Sequence, residues 1–296
     1  MMFGFTGLAS IDSLALASII LKATGYGAAL LAMGGPLFFL TFQKVPKDVL
    51  RLIRQIAISA AIIGLGVLAL QFGVRAARIS GMGLAGATDK MMLGLIWDGP
   101  LGTAALWRGV GLTLILAIAF KSAIGLLISA MGSVLIAMSY TFIGHSLGDP
   151  RWLLAGLLNI HLLAAAFWVA ALAPLHRAVA GTDGAIILHR FGKIASLTVC
   201  LLVVVGVTFA WFMTGSVAAL IGTAYGWTLL LKLFLVTGLM GIAAYNKWRL
   251  VPALSTNETW AGPSIRRSIR AEIFVVMTIL IITATLTAVT TPPVNL

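Results

Sequence analysis

Apolar residues in this chain neither alternate nor recur against a polar helical face. They run on without interruption, and polar residues gather between the runs. Eight runs lie near 14–42, 55–74, 101–120, 122–143, 152–175, 194–221, 227–245 and 271–291. Each approaches or exceeds the ~20 residues that cross a bilayer as a helix. Backbone groups in hydrocarbon must be paired internally, which leaves helices or a closed barrel. Unbroken runs without alternation select helices. The fold class expected is therefore all-α, a polytopic membrane protein of eight transmembrane helices. The first run carries Gly34-Gly35-Pro36 near its end, a place for a kink. The Gly-rich stretch 76–100 is only semi-apolar, and within it 79–100 reads as a loop or short interfacial helix.

Composition agrees. The chain has 296 residues, 60% of them hydrophobic and 9% charged, with mean hydropathy +1.08. Soluble domains carry about 25% charged residues. The net charge of +12 does not point to nucleic acid, because the basic residues lie mostly between apolar runs. Lys44, Lys47, Arg51 and Arg54 follow span 1, and Lys121 follows span 3. Arg177, Arg190 and Lys193 follow span 5. Lys247, Arg249, Arg266, Arg267 and Arg270 follow span 7. The other side holds Arg75, Arg78, Lys90 and Arg151. The positive-inside rule then puts both termini on the side away from the cytoplasm. No Lys or Arg precedes the first run, so no charged n-region of a signal peptide is expected. The single cysteine, Cys200, excludes an internal disulfide and a cysteine-based zinc site.

The chain repeats itself weakly. "GTAALWRGVGLTLIL" from Gly102 echoes "GWTLLLKLFLVTGLM" from Gly226, each a glycine, five residues and a base. "AALLAMGGPLFF" ending span 1 echoes "AFWVAALAPLHR" ending span 5. Two four-helix halves of like orientation are expected, 1–143 and 144–296, as a parallel repeat.

Candidate chemistry is sparse. His145 ends span 4 in "YTFIGHSLGDPRW", and Met138 and Met131 lie seven and fourteen residues earlier on one helix face. Imidazole with thioether suits Cu(I). Equally, methionine fills gaps in helix packing and a terminal histidine is often only wet. His161 lies roughly 15 Å inside span 5, counted at the helical rise, with Trp168 seven residues on. An ionisable group at that depth is a functional hypothesis. The alternative is a neutral histidine bonded to a neighbouring carbonyl. His176 and His189 sit at the inner ends of spans 5 and 6, where solvation explains them as well as a relay does. Met91 and Met92, beside Asp89 and Asp98, suit a soft cation or simple membrane dipping.

Lys22, Arg108 and Lys232 each lie inside a span near its outer end, at a cost of roughly 2.5–3.5 kcal/mol unless they snorkel. Placed in one layer, they oppose a cation and suit an anion such as haem propionates. Glu272 follows Arg270 at the inner edge of span 8 and is expected as a local salt partner. No P-loop, Gly-x-Ser-x-Gly, His-Glu-x-x-His or paired intramembrane carboxylate occurs. The chain is not expected to be an enzyme, and any transport would run on a gradient.

Taken together, several stretches resemble the CopD/PcoD family of bacterial inner-membrane copper proteins. They are Gly144-His145, His161 followed by "AAAFWVAALAPL", "RFGKIASL", "TAYGWTLLLKL", "NKWRLVPAL", "RRSIRAE" and a closing "TPP". The resemblance is good from span 4 onward and looser before it. It implies eight spans, copper homeostasis, copper import across the inner membrane, and a separate periplasmic copper carrier of the CopC type. The matching positions are His145, His161, Trp168, Tyr225, Gly226, Lys232, Asn246, Arg267, Arg270 and Glu272. One departure is Ala170-Ala171, where the family usually has Gly-Gly, which puts close packing of span 5 in question. The leading expectation is a copper transporter or delivery protein, with copper taken near His145, passing His161 and leaving near His176. The alternatives are a haem-binding membrane redox protein and a non-transporting partner of a periplasmic chaperone. Haem ligation needs ligands at one depth on facing helices, whereas His145 and His161 differ by ~10 Å on the helical rise.

Overall fold

The computed structural model describes residues 12–143 and 150–289. Eight helices there are long and apolar enough to cross a membrane. We label the spanning helices α1 (Ser13–Thr41), α2 (Lys47–Ser80), α3 (Pro100–Ile115), α4 (Ala123–Ser139), α5 (Arg151–Ala178), α6 (Gly184–Thr214), α7 (Ala224–Tyr245) and α8 (Ala261–Val289). The first is capped by Asp12, whose Oδ1 accepts from the Ala15 amide at 2.7 Å. It runs without interruption through Pro36. Ser122 caps α4 in the same way at 3.0 Å. These caps satisfy amides that no helical carbonyl reaches.

Three helices are longer than their apolar runs. The second begins at Lys47, α6 at Gly184 and α8 at Ala261, each about ten residues earlier than the hydropathy suggests. Hydropathy marks the part of a helix in hydrocarbon, whereas the backbone ladder continues into the headgroup layer, where charged side chains are welcome. Those charges then cap neighbours. Arg190 Nη2 donates to the Thr41 carbonyl at the end of α1 at 2.8 Å. Arg54 Nε donates to the Ile118 carbonyl at 3.1 Å, just past α3. Cations there meet the negative end of a helix. The stretch between α2 and α3 is a 3-10 turn, Gly83–Thr88, and a short helix, Lys90–Trp97.

Helix α1 is the hub, packed against α2, α4, α5 and α8. Its glycines allow this. A Cβ on Gly34 would overlap the Ala166 carbonyl and the Ala170 side chain of α5, and one on Gly35 would press on Ala57 of α2. Without a hydrophobic force between helices in lipid, such backbone approach is what holds them. Ala170 and Ala171 are wholly buried. Span 5 therefore packs closely despite lacking Gly-Gly, because the glycine sits on the facing helix. Ser133 of α4 adds a bond from its hydroxyl to the Met33 carbonyl at 2.9 Å. The helices α6 and α7 are peripheral, presenting Val204, Val207, Trp211 and Phe234 outward.

The echo between spans 3 and 7 has a shared local geometry. Each span follows a short helix, Lys90–Trp97 or Val217–Gly222. At Gly102 a Cβ would collide with the Trp97 carbonyl, and at Gly226 with the Leu220 carbonyl. Only glycine lets the short helix fold back so tightly onto the start of the span.

Candidate functional site

Helix α5 carries three of the side chains that sequence reasoning singled out. His161, Trp168 and His176 follow one another along it, spanning about 22 Å at 1.5 Å per residue. Their surroundings differ sharply.

His161 is half-buried, and its Nδ1 is shut from solvent with no hydrogen-bond partner. Lys232 of α7 lies within Coulomb range of it. Buried polar atoms normally have partners, so an orphaned imidazole nitrogen calls for an explanation. It is a free lone pair or N–H in a low-dielectric interior, suited to a soft metal ion or a transient proton.

Trp168 is 4% exposed. Its Nε1 donates to Glu272 Oε2 at 3.4 Å, and Asn246 Nδ2 donates to Glu272 Oε1 at 2.5 Å. Glu272 is itself 4% exposed. The expectation that Glu272 pairs with neighbouring Arg270 is overturned. Positions 270 and 272 differ by about 200° around a helix, so one side chain turns inward while the other faces out. Among the described residues the one ion pair is Arg177–Asp48, at 3.0 Å. Asn246 reaches Glu272 because α7 passes into a π turn, Asn246–Leu250, before continuing as Val251–Ser255. Such turns are rare and often mark functional positions. The Oδ1 of Asn246 is buried without a partner. This carboxylate, indole and amide join α5, α7 and α8 at one point. Composition offered no signal for Asn246, which entered only through the family pattern.

The three cations expected in one layer divide. Lys22 Nζ donates to the Thr287 carbonyl of α8 at 2.5 Å, and Thr287 Oγ1 lies 3.0 Å from the Tyr26 hydroxyl. Tyr26 meets Tyr140 with ring centroids 5.9 Å apart. The Arg108 guanidinium stacks over Tyr140 at 3.8 Å and donates from Nε to Ser139 Oγ at 3.0 Å. Lys22 and Arg108 thus brace α1, α3, α4 and α8. Lys232 takes no part in these bonds and lies within Coulomb range of His161. Tyr26, Ser139 and Thr287 were missed from sequence. Tyr26 alone left a trace, one turn past Lys22 on the same face.

The methionine proposals fare unevenly. Met131 is 56% exposed on the outer face of α4, so it does not line an interior path with half-buried Met138. Met91 is exposed, and Asp89 beside it caps the short helix through the Met92 amide at 2.8 Å. His145 lies outside the described residues. His189 is exposed, and His176 is half-buried among arginines. Among the described residues no three His, Cys, Asp or Glu side chains converge on one point. His161 and His176, on one helix and about 22 Å apart, cannot share a metal.

Comparison with known families resolves the class. The family model for copper resistance protein D matches residues 185–286. A second, for the copper resistance protein D-like N-terminal domain, matches residues 12–153. No curated protein and no solved structure matches the chain. The two family matches together span most of the bundle, from α1 to α8. The chain belongs to the CopD family of copper resistance proteins and is a multi-pass membrane protein of that family.

Proposed function

We propose that this protein moves copper across the bacterial inner membrane, with His161 as the intramembrane way-station. The observation that carries the reading is the buried, unpartnered Nδ1 of His161 in a chain of a copper resistance family. One imidazole suits Cu(I) as a soft-to-borderline ligand. A single ligand, opposed by the nearby Lys232 charge, holds copper weakly. Conduction needs binding loose enough to let the ion leave. Copper is cargo in this reading, and the protein performs no chemical conversion.

The path begins at the outward end of α4 and α5, where His145 and half-buried Met138 would receive copper from a CopC-like periplasmic carrier. In this reading both termini lie on that outer side, which the loop charges support. His176 is left off the path. Three guanidiniums surround its pocket, and they repel a cation. The Met91-Met92 pair serves at most as a surface capture point.

The test is copper retention and uptake. Detergent-purified protein is loaded with Cu(I), washed and assayed for copper, beside His161→Ala and His145→Ala. The same proteins in vesicles are assayed for copper flux. Retained copper and flux, both lost in the His161 variant, support the reading. Flux that survives His161→Ala overturns it. A Soret band lost with His161 would instead establish the haem reading. Copper retained without flux would establish a non-transporting partner.

A further inference from the structure

At the inner end of α5 and the start of α8 lies a cavity of about 560 Å³. Its walls include His176, Trp260, Ser264, Arg266, Arg267 and Arg270. Three arginines and a histidine thus face one space. The carboxylates nearby in sequence make their hydrogen bonds to other groups. Glu258 accepts the Trp260 Nε1–H at 2.6 Å, and Glu272 turns into the bundle to Trp168 and Asn246. Arg177, next to His176, is already matched by Asp48. Among the described residues, none of the three pocket arginines has a carboxylate partner.

The helix adds to this charge. At its start the Ala261 amide bonds to the Glu258 carbonyl and the Ser264 amide to the Trp260 carbonyl. A 29-residue helix carries a positive end there, which favours anions. Arg266 and Arg270 are one turn apart and share a face. Guanidinium forks match phosphate oxygens in pairs, which an ammonium does not. Trp260 and Trp248 are exposed nearby along the chain, as aromatic side chains are at a headgroup layer.

We infer that this pocket binds a phosphate-bearing anion at the basic membrane face, independently of any copper path. The cavity has room for more than one phosphate or for a phosphate with an attached polar group. An anionic lipid headgroup and a soluble organic phosphate share that chemistry. Basic pockets between membrane helices hold lipid phosphates by this means.

The test uses the full chain in a neutral detergent. Binding of phosphatidylglycerol and cardiolipin is followed by native mass spectrometry, and binding of inorganic pyrophosphate by calorimetry. Wild type is compared with Arg266→Gln/Arg270→Gln, with Ser264→Trp, which puts bulk into the cavity and keeps its charge, and with Lys44→Gln/Arg51→Gln, which removes equal charge elsewhere on the basic face. Arg266→Gln/Arg270→Gln should bind roughly thirtyfold more weakly, Ser264→Trp should also bind more weakly, and the distant pair should match wild type. Lipid binding without pyrophosphate binding assigns a headgroup, and displacement of lipid by pyrophosphate assigns a soluble phosphate. Absence of binding by wild type overturns the inference. So does equal weakening by the distant pair, which would reduce the effect to diffuse surface charge. Unchanged binding in folded Ser264→Trp would also overturn it.

Discussion

Removing the carboxylate of Glu272 tests the inner junction most directly. In Glu272→Ala the Trp168 indole N–H and the Asn246 amide lose the acceptors they now reach. Each buried donor left unpaired costs about 1–3 kcal/mol. The 3.4 Å bond from Trp168 belongs at the low end of that range and the 2.5 Å bond from Asn246 at the high end. Relief from burying a carboxylate offsets part of this, so a net loss of about 2–4 kcal/mol is expected. Glu272→Gln keeps one acceptor but turns an NH2 toward one donor, and should lose about half as much. The assay is reversible unfolding in mixed micelles, run as a double-mutant cycle with Trp168→Phe. In the Phe background Glu272→Ala should cost less by about 1 kcal/mol, the coupling expected of residues in contact. Additivity within ~0.5 kcal/mol would refute the junction. Coupling of Glu272 to Arg270→Gln instead would restore the ion pair that adjacency suggests.

Further outcomes follow from the packing. Gly34→Val should uncouple α1 from α5 and abolish the folded yield, measured by size-exclusion chromatography, since its Cβ has no space beside the Ala166 carbonyl. Gly102→Ala and Gly226→Ala should each lower the thermal midpoint by similar amounts, because each forces a short helix off the span it abuts. Arg108→Lys keeps the charge but loses the fork and most of the stack on Tyr140, costing about 1 kcal/mol in the same micelle titration. Met131→Leu should leave copper flux unchanged, since the side chain faces outward, whereas Met138→Leu should lower it if the outer mouth uses the thioether.

The resemblance to copper proteins rested on scattered motifs, and the family matches sustain it at both ends of the chain. The candidate ligands were less legible. His161 could be singled out because a lone histidine deep in an apolar run is conspicuous in one dimension. That its Nδ1 lacks a partner, and that Lys232 comes within Coulomb range, depends on how the helices are arranged around α5. No residue pattern within one helix encodes that. Glu272 shows the limit best. Its neighbour in sequence is a base, yet two positions along a helix point to nearly opposite sides, so adjacency misdirects.

Alone, the sequence determined the medium and the number of crossings, because hydrocarbon requires long apolar helices and continuous runs leave no other solution. It also determined where the charges gather, since burying them in lipid is costly. Only the tertiary structure decided which helices touch. In lipid, apolar side chains are equally content facing tails or neighbours, so hydrophobicity does not select partners. Close backbone contact at Gly34 and the few polar bonds among Trp168, Asn246 and Glu272 made that selection, and these emerge only when the helices are brought together.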